Sequence, residues 1–142
     1  MNYSELIQAY FERSVALQWY WTIYVLVIGG LLGLSTLRHR PEFLTTVLVT
    51  ILFACFVFKN ESAIEATVAE REAIRSASTH YPNGDDAKVK LVREKLGPVL
   101  TEYDMTGARY FHWACSLLTI ALVWAKEWRR RTATNQGEHH HG

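Results

Sequence analysis

Charge is missing from three long stretches of this 142-residue sequence. No Asp, Glu, Lys or Arg occurs in residues 14–37, 43–58 or 110–125, although the rest of the chain is rich in Glu, Lys and Arg. The whole chain carries a net charge of only +1. Nucleic-acid binding requires a basic face, which so neutral a chain does not offer, and no nucleic-acid partner is expected.

Several motifs that identify enzymes and secreted proteins are also missing. The only cysteines, Cys55 and Cys115, lie inside uncharged runs, which excludes a secreted disulfide framework. The sequence contains no P-loop, no other glycine-rich phosphate loop and no nucleophile elbow. The uncharged runs also lack the ionised residues of proton relays, voltage sensors and ion-coupled transporters. We therefore expect a protein that is not an enzyme and has no cofactor.

The three uncharged runs have about the length of membrane-spanning helices. Residues 15–37 can cross the roughly 30 Å hydrocarbon core, and their Trp and Tyr residues cluster near one end, as at a lipid–water boundary. Residues 43–58 and 110–125 each give about 24 Å of helix, a length that snorkelling Lys and Arg side chains can extend. A core helix of a soluble bundle would keep a polar face, and no run has a charged one. An all-α integral membrane protein with three transmembrane helices is predicted.

The segments outside the spans are also helical in character. We predict helices over about 4–37, with Ser4 as N-cap, and over about 42–79, with Pro41 in the first turn. Asp85 or Asp86 caps a short amphipathic helix that ends at Gly97. A last helix is predicted over about 98–131.

The domain organisation follows from these segments. Residues 1–131 are predicted to form a single membrane-helical domain, with 59–109 as an extramembrane helical segment. The low-complexity residues 132–142 are predicted to be a disordered polar tail, and its terminal histidines are set aside.

Topology follows from the number of spans. Only the five polar residues 38–42 join the first two spans, which predicts a tight hairpin. Three spans place the N-terminus and residues 59–109 on one side, and the hairpin loop and the C-terminus on the other. The amphipathic segments then share a compartment, where a small helical bundle built from helix extensions is expected.

Orientation follows from positive charge, which is retained on the cytoplasmic side. The C-terminus is predicted inside, and the N-terminus and residues 59–109 outside. The pattern is typical of small bacterial membrane proteins, so the bacterial cytoplasmic membrane is the expected location. The basic anchors are Arg38, Arg40, Lys126, Arg129, Arg130 and Arg131.

Three sets of residues are candidates for a functional role. Gly29, Gly30 and Gly33 form a small-residue face, typical of close helix packing either between copies or within one chain. Threonines in the second span could line a pore if several copies surrounded an axis. A histidine and two cysteines could bind a soft metal, although three ligands make a weak site. These last two sets are Thr45, Thr46 and Thr50, and His112, Cys115 and Cys55.

Three functional hypotheses follow. The first is a small membrane protein that acts in protein–protein interaction or assembly, self-associates and is surrounded by membrane lipid. The alternative is a homo-oligomeric pore or membrane-permeabilising effector. The third is a membrane metal or redox carrier.

Overall fold

The computed structural model describes residues 2–81, 87–100 and 102–138. Every regular element in these ranges is an α-helix, which confirms the all-α class for the described residues. Two helices, α1 and α2, are long and apolar enough to cross a membrane. The third predicted span lies in α4, whose uncharged run is as long as that of α2 but includes more polar side chains, and α4 does not meet that criterion. The helices are α1 Tyr3–Leu37, α2 Phe43–Thr79, α3 Ala87–Leu96 and α4 Met105–Glu138.

The first two helices begin with side-chain caps that differ from the predicted ones. In α1 the Asn2 side chain accepts a hydrogen bond from the Glu5 N–H at 2.9 Å, and the Glu5 carboxylate accepts one from the Asn2 N–H at 2.8 Å. This reciprocal capping box makes the predicted cap at Ser4 wrong. In α2 the Glu42 carbonyl accepts the first helical bond, from the Thr46 N–H, so Pro41 precedes the helix.

Helix α4 starts later than predicted, at Met105 rather than at about residue 98. Turn-type backbone hydrogen bonds from Val99 and Leu100 to Leu96 occupy the preceding segment. The Asp104 side chain then accepts a hydrogen bond from the Gly107 N–H at 2.9 Å and caps the helix. A Cβ on Gly107 would lie 2.3 Å from an Asp104 carboxylate oxygen, so this cap requires glycine.

Helix α4 also ends later than predicted. It continues through Glu138, into the segment that was expected to be a polar tail. No proline interrupts this stretch, and the Thr132 hydroxyl donates back to the Arg129 carbonyl at 2.9 Å, as a residue inside a helix can. Residues 139–142 of the predicted tail, and the predicted caps Asp85 and Asp86, lie outside the described residues.

A single domain over residues 1–131 was predicted, whereas the chain divides into two compact units. Unit 1 comprises Met1–Trp21 and Ser62–Gly107, and unit 2 comprises Thr22–Glu61 and Ala108–Gly142. Helices α1, α2 and α4 each contribute to both. The division follows the sequence, because unit 2 contains the second and third uncharged runs and most of the first, and unit 1 contains most of the interleaved charges.

The two units bury different kinds of side chain. In the described part of unit 1, six of the eight buried residues are apolar or aromatic, Tyr10 and Ile64 among them. In unit 2, seven of the eleven buried residues are polar or charged. Only 11% of the most apolar window of α1 and 22% of that of α2 is buried. Unit 2 therefore directs its polar side chains inward and its apolar ones outward.

Candidate functional site

A buried polar cluster connects three helices of unit 2. Tyr24 comes from α1, Asn60 from α2, and His112 and Ser116 from α4. Each of the four residues is 6% exposed or less. His112 and Ser116 share one face of α4 because they are four residues apart, close to one helical turn. We call these four residues the tyrosine–histidine cluster.

The Tyr24 hydroxyl forms the centre of the cluster. It donates to the main-chain carbonyl of His112 at 2.7 Å and lies 2.8 Å from the Ser116 hydroxyl. The Ser116 hydroxyl in turn lies 2.8 Å from the same carbonyl. A helix carbonyl has a second lone pair beyond its helical bond, so the Tyr24 hydroxyl joins α1 to the backbone of α4 without opening a helical turn.

The imidazole of His112 completes the cluster. Its ring stacks on that of Tyr24, with ring centres 4.1 Å apart and planes at 28°. Its Nε2 atom lies 3.4 Å from the Asn60 side-chain nitrogen, a long contact that reaches α2. The Ser116 hydroxyl is bonded to a backbone carbonyl of its own helix. This arrangement holds helices together.

A carboxylate next to the cluster makes a second connection between α2 and α4. Glu61 accepts hydrogen bonds from the Arg109 guanidinium at 3.1 Å and from the Trp113 indole at 3.0 Å. The Glu61 side chain is 13% exposed. A charged pair and an indole N–H at one level are typical of the end of a membrane span, where water and lipid headgroups meet the chain.

The other end of unit 2 contains the basic C-terminal part of α4. Arg130 donates to the Ser35 carbonyl in the last turn of α1, and Lys126 donates to the Thr36 hydroxyl. Helix α1 has no basic residue in its own last turn. Its final carbonyls therefore receive their positive partner from α4, which also opposes the negative end of the helix dipole.

Glu127 lies at the centre of this basic end and is 1% exposed. Arg130 lies 3.7 Å and Arg131 3.3 Å from its carboxylate. The Arg131 guanidinium also lies over the Phe43 ring, 4.7 Å from its centre. Two cations compensate one buried carboxylate; Arg131 also connects α4 to α2, and Arg130 connects α4 to α1. We call the residues Lys126, Glu127, Arg130 and Arg131, with Ser35 and Thr36, the basic clamp.

The predicted pore-lining threonines bond within their own chain. The Thr46 hydroxyl donates to the Glu42 carbonyl at 3.1 Å, and the Thr50 hydroxyl accepts from the Trp124 indole at 3.2 Å. Thr45 donates to the Glu42 carboxylate at 3.0 Å. The pore hypothesis stays a prediction, and no contact of these side chains favours it.

The predicted glycine face is open in the described chain. Gly29, Gly30 and Gly33 are exposed, and no atom lies within 4 Å of where a Cβ would stand on any of them. At about 100° per residue, Gly29 lies about 140° around α1 from the buried Tyr24. The glycines thus do not provide close packing of α1 on its own chain.

The remaining predicted residues do not come together as a site. No group of three or more His, Cys, Asp or Glu side chains that could hold a metal is present in the described ranges. His112 is buried, whereas Cys55 is exposed and Cys115 half-buried, and both thiols are free. Among the predicted anchors, Arg38 pairs with Glu42 at 3.0 Å, and Arg40 and Arg129 are exposed.

The sequence pointed to His112 but not to its neighbours Tyr24 and Asn60. Two signals were available. The first is that Ser116 lies one helical turn after His112. The second is that Asn60 follows the end of the second uncharged run and His112 lies near the start of the third, so a three-span topology would place the two at a similar depth. Tyr24 gave no signal, because tyrosines are common in such runs.

The fold and the site define an all-α chain with two helices able to cross a membrane and a buried polar cluster between helices. No family model matches the chain. No curated protein is similar to it, and no solved structure resembles it.

Proposed function

We propose that this chain is a small, non-enzymatic integral membrane protein that acts in assembly by associating with a second copy of itself. The observation that carries the proposal is the open glycine face on an apolar helix. Small residues one turn apart let two like helices approach closely, and closed homodimers are the commonest symmetric assemblies. The expected symmetry is therefore two-fold, with α1 packed against α1.

The membrane placement is supported by the surface of unit 2. Of the 24 large hydrophobic side chains that are exposed in the described residues, 18 belong to this unit. Leu44 is 80% exposed and Leu26 is 67% exposed. Soluble monomers rarely present an apolar surface of this extent, whereas lipid covers it at no cost.

A third span is supported by the length over which α4 follows α2. Near its start, Arg109 and Trp113 contact Glu61, and near its end Arg131 contacts Phe43. Contacts at both ends of the 43–61 segment mean that α4 covers the same length as the second span. If residues 43–58 cross the bilayer, residues 110–125 cross it as well.

The topology proposed here keeps the 38–42 loop and the C-terminus inside, with the N-terminus and residues 59–109 outside, in a bacterial cytoplasmic membrane. Its support is the concentration of basic side chains at the two inner segments. Single cysteines placed at Thr79 and at Thr132 in a chain lacking Cys55 and Cys115 test it. A membrane-impermeant maleimide added to intact cells should label the Thr79 site and spare the Thr132 site.

Energy transfer between donor- and acceptor-labelled copies in lipid vesicles tests self-association. Gly33→Ile places a branched side chain on the open face and should abolish most of the energy transfer. The apparent affinity of self-association should fall at least ten-fold. Ala54→Leu is the matched control, because Ala54 is an exposed small residue on α2. Unchanged energy transfer in Gly33→Ile would show that the glycine face is not the interface. Wild-type energy transfer no higher than that of a diluted, monomeric sample would rule out self-association.

A further inference from the structure

A cleft of about 220 Å³ opens between the last turns of α1 and the start of α2 in unit 2. Two arginines, Arg38 and Arg130, line it, together with the hydroxyl-bearing Ser35, Thr45 and Thr46. The remaining lining is aliphatic, including Leu31 and Leu34. A mostly apolar cavity with positive charge at one end suits an amphipathic ligand better than a fully water-soluble one.

The cleft continues into a second one of about 380 Å³ along α1 and α2. The two share Leu31, Leu34 and Val49, so they adjoin one another. The second cleft is lined only by apolar side chains and glycine, with Phe53 and Phe56 on the α2 side. Together they form a groove that is cationic at one end and apolar along the rest. This arrangement matches a phospholipid, which has a phosphate headgroup at one end and apolar acyl chains along the rest.

Positive charges also outnumber negative ones around the cationic end. Residues 38–42 and 126–131 together contain six Lys or Arg side chains and two carboxylates, Glu42 and Glu127. Glu127 is already compensated by Arg130 and Arg131, and Glu42 by Arg38. The excess of four positive charges favours an anionic ligand over a zwitterionic one.

We propose that the groove binds one anionic phospholipid. Its phosphate lies between Arg38 and Arg130, and an acyl chain extends between α1 and α2 past Leu34 to Phe53. A guanidinium suits a phosphate because its N–H groups form a planar fork. The inference rests on the membrane placement proposed above. It is separable from self-association because neither Gly29 nor Gly33 lines either cleft, although Gly30 lines the apolar one.

Native mass spectrometry of the whole chain in detergent tests the proposal. The probes are phosphatidylglycerol and phosphatidylcholine with identical acyl chains, supplied in equal amounts. The wild-type chain should retain one phosphatidylglycerol in clear preference. Arg38→Gln should lower the preference about five-fold, the usual effect of one basic residue near an anionic headgroup. Glu42→Gln, which removes a competing carboxylate, should raise it.

Controls separate the site from general charge and from folding. Arg13→Gln removes an exposed arginine of unit 1 that pairs with Glu70 at 3.1 Å, and should leave the preference unchanged. Because Arg130 also holds the Ser35 carbonyl, Arg130→Lys is paired with Arg130→Gln, and only the glutamine variant should lose the lipid. Gly33→Ile should retain the lipid even where it abolishes self-association.

Three outcomes would overturn the proposal. The first is equal retention of the two lipids, and the second is an Arg38→Gln preference as high as that of Arg13→Gln. The third is displacement of the lipid by glycerol phosphate or inorganic phosphate at equal concentration, which would make this a site for a free phosphate.

Discussion

Unit 1 and unit 2 are built from the same three long helices, yet their interiors have opposite chemistry. Unit 1 buries Tyr3, Leu6 and Tyr10, while its charged groups pair at the surface, as Arg13 does with Glu70. Unit 2 buries His112 and Glu127 and exposes leucines. The difference shows that one continuous helix can bury apolar side chains along one part of its length and polar side chains along another. Each part of a helix buries the side chains that its own sequence supplies, apolar and aromatic ones in unit 1 and mostly polar ones in unit 2.

Arginine has a different partner in each unit. In unit 1, Arg71 donates to the hydroxyls of Tyr10 and Ser14 and lies 4.6 Å from the centre of the Tyr10 ring. In unit 2, Arg130 binds a backbone carbonyl and a buried carboxylate. An arginine in unit 1 thus covers an aromatic ring, whereas one in unit 2 satisfies a backbone carbonyl and a buried carboxylate.

The largest effect is expected from Tyr24→Ala in unit 2. This change removes a side chain that is 1% exposed, its stacking on His112 and its hydroxyl contacts, and should cost about 3–5 kcal/mol. The free energy of unfolding in mixed micelles with increasing SDS measures it. Tyr24→Phe keeps the ring and should cost only about 1 kcal/mol, a typical value for a hydrogen bond between membrane helices. Equal losses in both variants would show that the hydroxyl dominates.

A matched pair of leucines compares the two units directly. Leu6 in unit 1 is 8% exposed, and Leu6→Ala should cost about 2–3 kcal/mol, in the lower part of the range for buried leucines. Leu26 in unit 2 is 67% exposed, and Leu26→Ala should change stability by less than about 0.5 kcal/mol. The same unfolding measurement in micelles compares the variants. A Leu26→Ala loss as large as that of Leu6→Ala would place Leu26 in a protein interface.

The helices were predictable from the sequence because uncharged runs and breakers mark them directly. The bounds of α1 and α2 agree with the prediction to within one residue at each end. The start of α4 was not predictable from helical periodicity alone, because it depends on whether Asp104 or the segment after Pro98 supplies the cap. The tyrosine–histidine cluster was harder still to predict. It depends on how each of three helices is oriented about its own axis, which sequence spacing does not specify.

The basic clamp offers an intermediate effect. Arg130→Gln removes the guanidinium that donates to the Ser35 carbonyl and leaves the buried Glu127 with Arg131 as its remaining ion-pair partner. We expect a loss of about 1–2 kcal/mol, within the range for a buried polar group deprived of a partner. Arg129→Gln is the control, because the neighbouring Arg129 is exposed. Thermal unfolding of the two variants in the same micelles makes the comparison, and equal losses would mean that only total charge matters.

The smallest effect concerns an exposed ion pair of unit 1. The Arg75 guanidinium donates to the Glu72 carboxylate at 2.8 and 2.9 Å, and these hydrogen bonds hold the pKa of Glu72 below its ordinary value of 4.5. A lowered carboxyl pKa stabilises the folded state above the ordinary value, and this contribution is lost as the pH falls through the folded pKa. Because Glu72 is largely exposed, the effect is expected to be as small as that of other surface pairs.

Comparing wild type with Glu72→Gln isolates this contribution from every other titrating group. The wild type should have the slightly higher melting temperature at pH 7. The difference should shrink as the pH falls below 4.5 and vanish once Glu72 is protonated, because a protonated glutamate resembles glutamine. A difference that persists at low pH would instead arise from side-chain packing. That result would weaken the contrast between the units, because the surface pairs of unit 1 would then act through contacts, as the buried groups of unit 2 do.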